Sequence, residues 1–169
     1  YRDTKKYQEA LEYLKSNSDK TTGYRFYAVA NRMIEEKVQP EIAMKIALLG
    51  VERNRGDVEH PEGDKPKYYS DNEWKEERGY ILALNLRALG KLQYDAGKKT
   101  EAEKSLREAA QLTKGKEPAV NELYARVLID LGNNKIAIEE LEKNIKDGNG
   151  TTELKNLLKE AYTSDKGSD

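Results

Sequence analysis

The chain has 169 residues, of which 30 are lysine or arginine and 31 are aspartate or glutamate, giving a formal net charge of −1. Disorder requires low hydrophobicity together with a high net charge, so this balance favours a folded protein and argues against a dedicated nucleic-acid binder, which needs clustered cations. No segment approaches the roughly 20 apolar residues that cross a bilayer, and the absence of cysteine excludes disulfides and thiol catalysis within these residues.

Apolar residues recur at intervals of three and four along the whole chain, so every element is predicted to be a helix. The predicted helices span residues 4–17, 22–37, 40–53, 71–94, 99–113, 118–131, 134–146 and 152–163. Residues 54–70 hold two prolines and two glycines and have no periodicity, which predicts an exposed loop. Ser70 followed by Glu73 is a capping box and predicts the start of the fourth helix.

Alanines recur with a period close to that of a helical repeat. They are Ala10, Ala43, Ala102 and Ala137. Their spacings are 33, 59 and 35 residues, and the long spacing equals one period of 34 with 25 residues inserted. Such a period is typical of a helical solenoid, in which each repeat buries its apolar face against its neighbours. We therefore predict an all-α solenoid of about eight helices. The residues expected at its buried helix crossings are Ala102, Leu106, Ala125, Ala137 and Leu141.

Two segments, residues 83–116 and 118–151, share the clearest internal pattern. Aligning them pairs Leu89-Gly90 with Tyr124-Ala125, Gly97 with Gly132, and Leu106 with Leu141. The pattern resembles the tetratricopeptide repeat, which places a Leu-Gly pair, a turn glycine, an alanine and a large apolar residue at these positions. The resemblance implies antiparallel helix pairs that form a right-handed superhelix.

The resemblance also implies a domain plan, with one helical domain over residues 1–163. Its parts are a half repeat 1–18, a degenerate repeat 24–51, an insertion 52–80, repeats 83–116 and 118–151, a capping helix 152–163, and a polar tail 164–169. The first helix lacks a partner before it, so Tyr7, Leu11 and Leu14 are expected to be exposed. We accordingly expect the chain to be a piece of a longer protein.

A narrower resemblance depends on the degenerate repeat, the insertion ending in Tyr68-Tyr69 and Trp74, the two clear repeats, and the closing sequence LKNLLKEAYTSDKGS. This combination is similar to the helical region beside a thioredoxin-like domain in exported bacterial thiol-disulfide oxidoreductases. It implies a cell-envelope location and a covalently linked thioredoxin-like domain outside these residues. No catalytic residue carries over. The hypotheses are therefore a non-enzymatic interaction scaffold and an accessory region of such an oxidoreductase.

The resemblance places the first helix of each repeat on a concave face. The basic residues expected to face into that groove are Arg32, Lys91 and Arg126, with Arg87 and Tyr94 between them. One turn later stand acidic residues, namely Glu36, Asp95 and Asp130. Two interpretations follow: three intrahelical ion pairs on a solvated surface, or a groove that binds an acidic, carboxylate-bearing protein or peptide.

Other candidate sites carry weaker signals. His60 stands among carboxylates at Asp57, Glu59, Glu62 and Asp64, a set that suits a metal ion. A solvated acidic loop is the favoured interpretation, so no metal and no cofactor are predicted.

The aromatic residues Tyr68, Tyr69 and Trp74 form a cluster at the edge of the insertion. They are interpreted either as packing of the insertion against the long helix or as a contact patch for another domain.

Overall fold

A computed structural model describes residues 2–60 and 65–167 of the chain, with side chains from Lys5 onward. Within these residues the structure is all-α and has no strand. The helices are α1 (Arg2–Ser16), α2 (Gly23–Glu36), α3 (Pro40–Glu59), α4 (Asp71–Asp95), α5 (Lys99–Thr113), α6 (Pro118–Asp130), α7 (Asn134–Asn144) and α8 (Thr152–Lys166). A 3₁₀ turn, Ser18–Lys20, follows α1, and a π-helical turn, Ile145–Asn149, follows α7. The predicted all-helical class is confirmed.

Helix α3 is longer than predicted. The expected loop over residues 54–70 is wrong for residues 54–59, which are helical. Side-chain contacts along the helix stabilise these turns, although they lack apolar periodicity. The Asn54 carboxamide donates to the Gly50 carbonyl at 2.8 Å, and Asp57 pairs with Arg53 one turn earlier.

Helix starts and turns follow local sequence signals. In the capping box the Ser70 amide donates to the Glu73 carboxylate at 2.9 Å, and the Glu73 amide donates to Ser70 Oγ at 3.3 Å. The predicted turn glycines, Gly97 and Gly132, have φ values of 76° and 75°, a region where glycine has no steric cost. The capping box and both turns are confirmed.

The chain divides into two compact units, Tyr1–Leu92 and Gln93–Asp169, and α4 contributes to both. In the first unit α2 packs on α3, and α1 also packs on α3. Leu11 and Leu14 were expected to be exposed, but both are buried. The reason is that the later helix α3 packs on α1 and covers this apolar face.

In the second unit α6 contacts α5, α7 and α8, and α7 also packs on α8. The residues predicted at buried crossings are all in its core, with at most 2% of any side chain exposed: Ala102, Leu106, Ala125, Ala137 and Leu141. Leu154 and Leu157 of α8 cover the same core. In the described residues, every helix is either too short or too polar to span a bilayer.

Candidate functional site

Arg87 of α4 is held against α2 by uncharged partners. Its Nη2 atom donates to the Tyr27 hydroxyl at 3.0 Å and to Asn31 Oδ1 at 3.1 Å. The guanidinium also lies 5.8 Å from the centre of the Tyr27 ring, and Tyr24 packs against Tyr27 with ring centres 5.8 Å apart. We call these four residues, Tyr24, Tyr27, Asn31 and Arg87, the Arg87 patch.

The charge of Arg87 is not neutralised within the patch. Among the described residues no carboxylate pairs with Arg87, and its buried Nε has no hydrogen-bond partner. The side chain as a whole is half-buried, and its Nη2 atom is engaged by Tyr27 and Asn31. The Nη1 group can donate a charge-assisted hydrogen bond to a carboxylate, which is among the stronger polar contacts in proteins.

Arg32 has a different environment from Arg87. It pairs with Glu36 one turn later on α2, as the ion-pair interpretation predicted. The Tyr7 hydroxyl of α1 donates to the same carboxylate at 2.5 Å. The hydrogen bond from Tyr7 and then that from Arg32 lower the pKa of Glu36 below its ordinary value. Glu36 is therefore ionised at neutral pH and neutralises the Arg32 charge.

A cleft of about 590 Å³ lies between α1 and α2 beside this ion pair. Its apolar wall consists of Ala10, Ala28 and Val29, and its charged rim includes Lys6 and Arg32. This volume lies within the range of pockets that bind small ligands. Since Ala28 follows Tyr27 in the sequence, the cleft and the Arg87 patch share helix α2.

In the second unit the predicted residue Tyr94 contacts α6. Its hydroxyl donates to Asp130 at 2.6 Å, and Lys99 lies 3.7 Å from the same carboxylate. The hydrogen bond to Asp130, together with partial burial, raises the pKa of Tyr94 to about 12. The Tyr94 hydroxyl is therefore protonated at neutral pH and acts as a donor.

Arg126 was expected to pair with Asp130, but it pairs instead with Glu160 of α8 at 2.6 Å. The physical reason is that Asp130 is already engaged by Tyr94 and Lys99. Lys91 lies half-buried on α4, and Asp95 is the exposed last residue of that helix. Arg32 and Arg126 are thus each neutralised by a carboxylate, whereas Arg87 is not.

The aromatic cluster packs against the start of α4. The ring centre of Trp74 lies 5.4 Å from that of Tyr69 and 4.4 Å from the Arg78 guanidinium. Arg78 also pairs with Asp57 at the end of α3, at 3.2 Å. This geometry favours the packing interpretation for Trp74 and Tyr69, while Tyr68 is 82% exposed.

The proposed metal set around His60 is only partly described. Glu62 and Asp64 lie outside the described residues. In the part of the chain that is described, no group of three or more histidine, cysteine, aspartate or glutamate side chains is arranged to hold a metal ion. Asp57 is engaged by Arg53 and Arg78.

Sequence reasoning missed three members of the Arg87 patch. Asn31 stands in the degenerate repeat, where a small residue is usual, and the repeat pattern predicts no binding role for it. Tyr24, Tyr27 and Asn31 are spaced by three and four residues, so they share one face of α2. This spacing of three and four residues, together with the expectation that Arg87 faces the groove, is the signal from which the patch could have been predicted.

Comparisons with protein-family models, with curated proteins and with solved structures found no match to this chain. Its role is therefore inferred from the geometry of the described residues.

Proposed function

We propose that the chain is a non-catalytic protein–protein interaction module that binds an acidic segment of a partner protein. The observation that carries this proposal is the guanidinium of Arg87, which is positioned by Tyr27 and Asn31 and has no carboxylate partner among the described residues. A positioned cation loses little conformational entropy when a ligand binds, so its contact is more favourable than that of a free surface lysine.

The composition of the patch supports the same role. Tyrosine and arginine are enriched among the residues that dominate the binding free energy of protein interfaces. Tyr24 is 54% exposed and offers an apolar ring with a polar tip beside Tyr27. The α1–α2 cleft adds an apolar surface for the residues that flank an acidic side chain in the partner.

We propose further that the helix pairs form a tetratricopeptide-like superhelix, with the binding face built by the first helix of each pair. In this arrangement the full contact set includes the five residues predicted from the sequence, Arg32, Arg87, Lys91, Tyr94 and Arg126. Arg87 is expected to contribute most, because Arg32 and Arg126 must exchange an internal carboxylate for that of the ligand.

Selection of peptides from a random display library on the immobilised chain tests the proposal. We expect enriched peptides to contain aspartate or glutamate next to apolar residues. Selection on an Arg87→Gln variant should lose this acidic preference, whereas Lys45→Gln, which removes the same charge from the exposed face of α3, should retain it. Failure to enrich any peptide, or an unchanged preference in Arg87→Gln, would refute the proposed mode of binding.

A further inference from the structure

A cavity in the second unit is separate from the residues of the proposed interface. It lies among α5, α6 and α7 and has a volume of about 420 Å³. Its size falls within the range of cavities that enclose small ligands. Two buried asparagines, Asn121 and Asn144, line its wall together with Tyr124 and several charged side chains. The chemistry of these groups determines which class of ligand the cavity suits.

Asn121 gives the cavity an unsatisfied acceptor. The side chain is 98% buried, since only 2% of its surface is exposed. Its Nδ2 donates to the Gly115 carbonyl at 2.6 Å, which fixes the orientation of the carboxamide. Its Oδ1 is buried and has no hydrogen-bond partner among the described residues. A ligand with an N–H donor at this point would satisfy an acceptor that otherwise costs folding free energy.

A second buried carboxamide lies close to the first. Asn144 is the last residue of α7, and only 6% of it is exposed. Its Oδ1 lies 2.3 Å from the place that a Cβ on Gly115 would occupy, and Asn121 binds the carbonyl of the same glycine. The missing side chain at Gly115 therefore lets both carboxamides approach one point of the cavity wall. A carboxamide offers donors through Nδ2 and an acceptor through Oδ1, and it carries no charge.

The charged side chains of the wall favour an uncharged ligand. Glu103 binds Arg107 through two hydrogen bonds, of 2.8 and 2.6 Å, and neutralises it. Lys143 is balanced by Glu140 on the same helix, and Lys114 has an interaction of its own within the chain. Neither an anion nor a cation would meet an excess of opposite charge here, while either would lose its hydration on entering the cavity.

We infer that this cavity binds a small neutral molecule with a planar amide edge, in which an N–H group stands beside a C=O group. The N–H would donate to Asn121 Oδ1, and the C=O would accept from the Asn144 carboxamide. A cyclic amide, or lactam, supplies both groups on one edge without a charge. A ketone of the same size supplies the C=O alone, and a carboxylate supplies acceptors with a negative charge.

Titration of the isotope-labelled full chain by two-dimensional NMR tests this inference with three probes. They are δ-valerolactam, cyclohexanone, in which a CH₂ group replaces the N–H, and acetate. We expect the lactam to shift the side-chain amide signals of Asn121 and Asn144 in a saturable manner. Cyclohexanone should bind about tenfold more weakly, because it leaves the buried acceptor unsatisfied. Acetate should leave both asparagine signals in place.

A matched pair of variants locates the N–H contact. Asn121→Leu removes the acceptor and should weaken lactam binding about tenfold, read from the Asn144 signals. Asn156→Leu changes an exposed asparagine of α8 outside the cavity wall and should leave the affinity within about twofold. Circular dichroism should show the same helicity for both variants.

The comparison of probes on the wild type decides the inference even if Asn121→Leu does not fold. The inference is wrong if the lactam leaves both asparagine signals unshifted, or if cyclohexanone or acetate binds as tightly as the lactam. It is also wrong if a folded Asn121→Leu variant binds the lactam with the affinity of the wild type.

Discussion

The Asn85 carboxamide donates a hydrogen bond to the Gly23 carbonyl at 3.1 Å, which joins α4 to the first residue of α2. The Oδ1 atom of Asn85 lies 2.0 Å from the place that a Cβ on Gly50 would occupy. A Cβ on Gly23 would meet Asn54 at 1.7 Å in the same way. Buried asparagines and glycines therefore set the distance between α2, α3 and α4.

This close approach predicts opposite outcomes for two glycines of α3. Gly50→Ala should destabilise the fold by roughly 1 to 3 kcal/mol, because the new methyl group overlaps Asn85. Gly56→Ala should stabilise it by about 0.5 to 1 kcal/mol, because a Cβ there meets open space and alanine favours the helix. Urea denaturation of both variants measures the difference. Equal effects of the two substitutions would contradict the packing described here.

Asp57 connects the end of α3 to α4 through Arg78, whose side chain is 10% exposed. Asp57→Asn should destabilise the protein by about 2 kcal/mol, because it leaves two arginines short of a carboxylate. Asp71→Asn is the control, since Asp71 is 91% exposed in its pair with Lys65. That change should leave the free energy of unfolding nearly unchanged, because an exposed ion pair contributes little. An unchanged free energy of unfolding in Asp57→Asn would exclude a structural role for the Arg78 pair.

The Tyr7 hydroxyl is the largest cause of the lowered pKa of Glu36. Tyr7→Phe should therefore raise this pKa, and so should Arg32→Gln, which removes a hydrogen bond and a charge interaction. Because the pKa is lower in the folded state, the Glu36 contribution to stability is present above its ordinary pKa. This contribution is lost as the pH falls through the pKa that Glu36 has in the folded protein. NMR titration of the Glu36 carboxyl in both variants gives the comparison. An unchanged pKa of Glu36 in Tyr7→Phe would show that the Tyr7 hydroxyl does not stabilise the carboxylate.

Ala137 of α7 is completely buried in the core of the second unit. Ala137→Met should overpack this crossing and cost roughly 1 to 3 kcal/mol. Lys135→Met, which changes an exposed residue of the same helix, should alter stability by less than about 0.5 kcal/mol. Thermal melts of both variants provide the measurement. An unchanged melting temperature for Ala137→Met would refute the assigned position of Ala137 at a packed crossing.

Local signals in the sequence predicted much of the fold. The capping box at Ser70 and the left-handed glycines at 97 and 132 depend on residues within one turn, so they can be recognised without tertiary structure. The extension of α3 to Glu59 could not be recognised in this way. Its stabilising contacts include Arg78, which lies 21 residues beyond Asp57 in the sequence.

The candidate site was predicted only in part, because several of its contacts join residues that are far apart in the sequence. The sequence identified Arg87 as a concave-face residue, but its partners Tyr27 and Asn31 are 60 and 56 residues away. The predicted pair of Arg32 with Glu36 needs only one helical turn and is present. The predicted pair of Arg126 with Asp130 is replaced by Glu160, because tertiary contacts from Tyr94 and Lys99 occupy Asp130.

The proposed interface depends most directly on the charge of Arg87. Fluorescence anisotropy should be measured for one selected acidic peptide with the wild type, Arg87→Gln and Lys45→Gln. A charge-assisted hydrogen bond contributes about 1.5 kcal/mol, so Arg87→Gln should bind about tenfold more weakly. Lys45→Gln should stay within about twofold of the wild type, as expected for a remote surface charge. Equal affinities of Arg87→Gln and the wild type, with both proteins equally folded, would contradict the proposed interface.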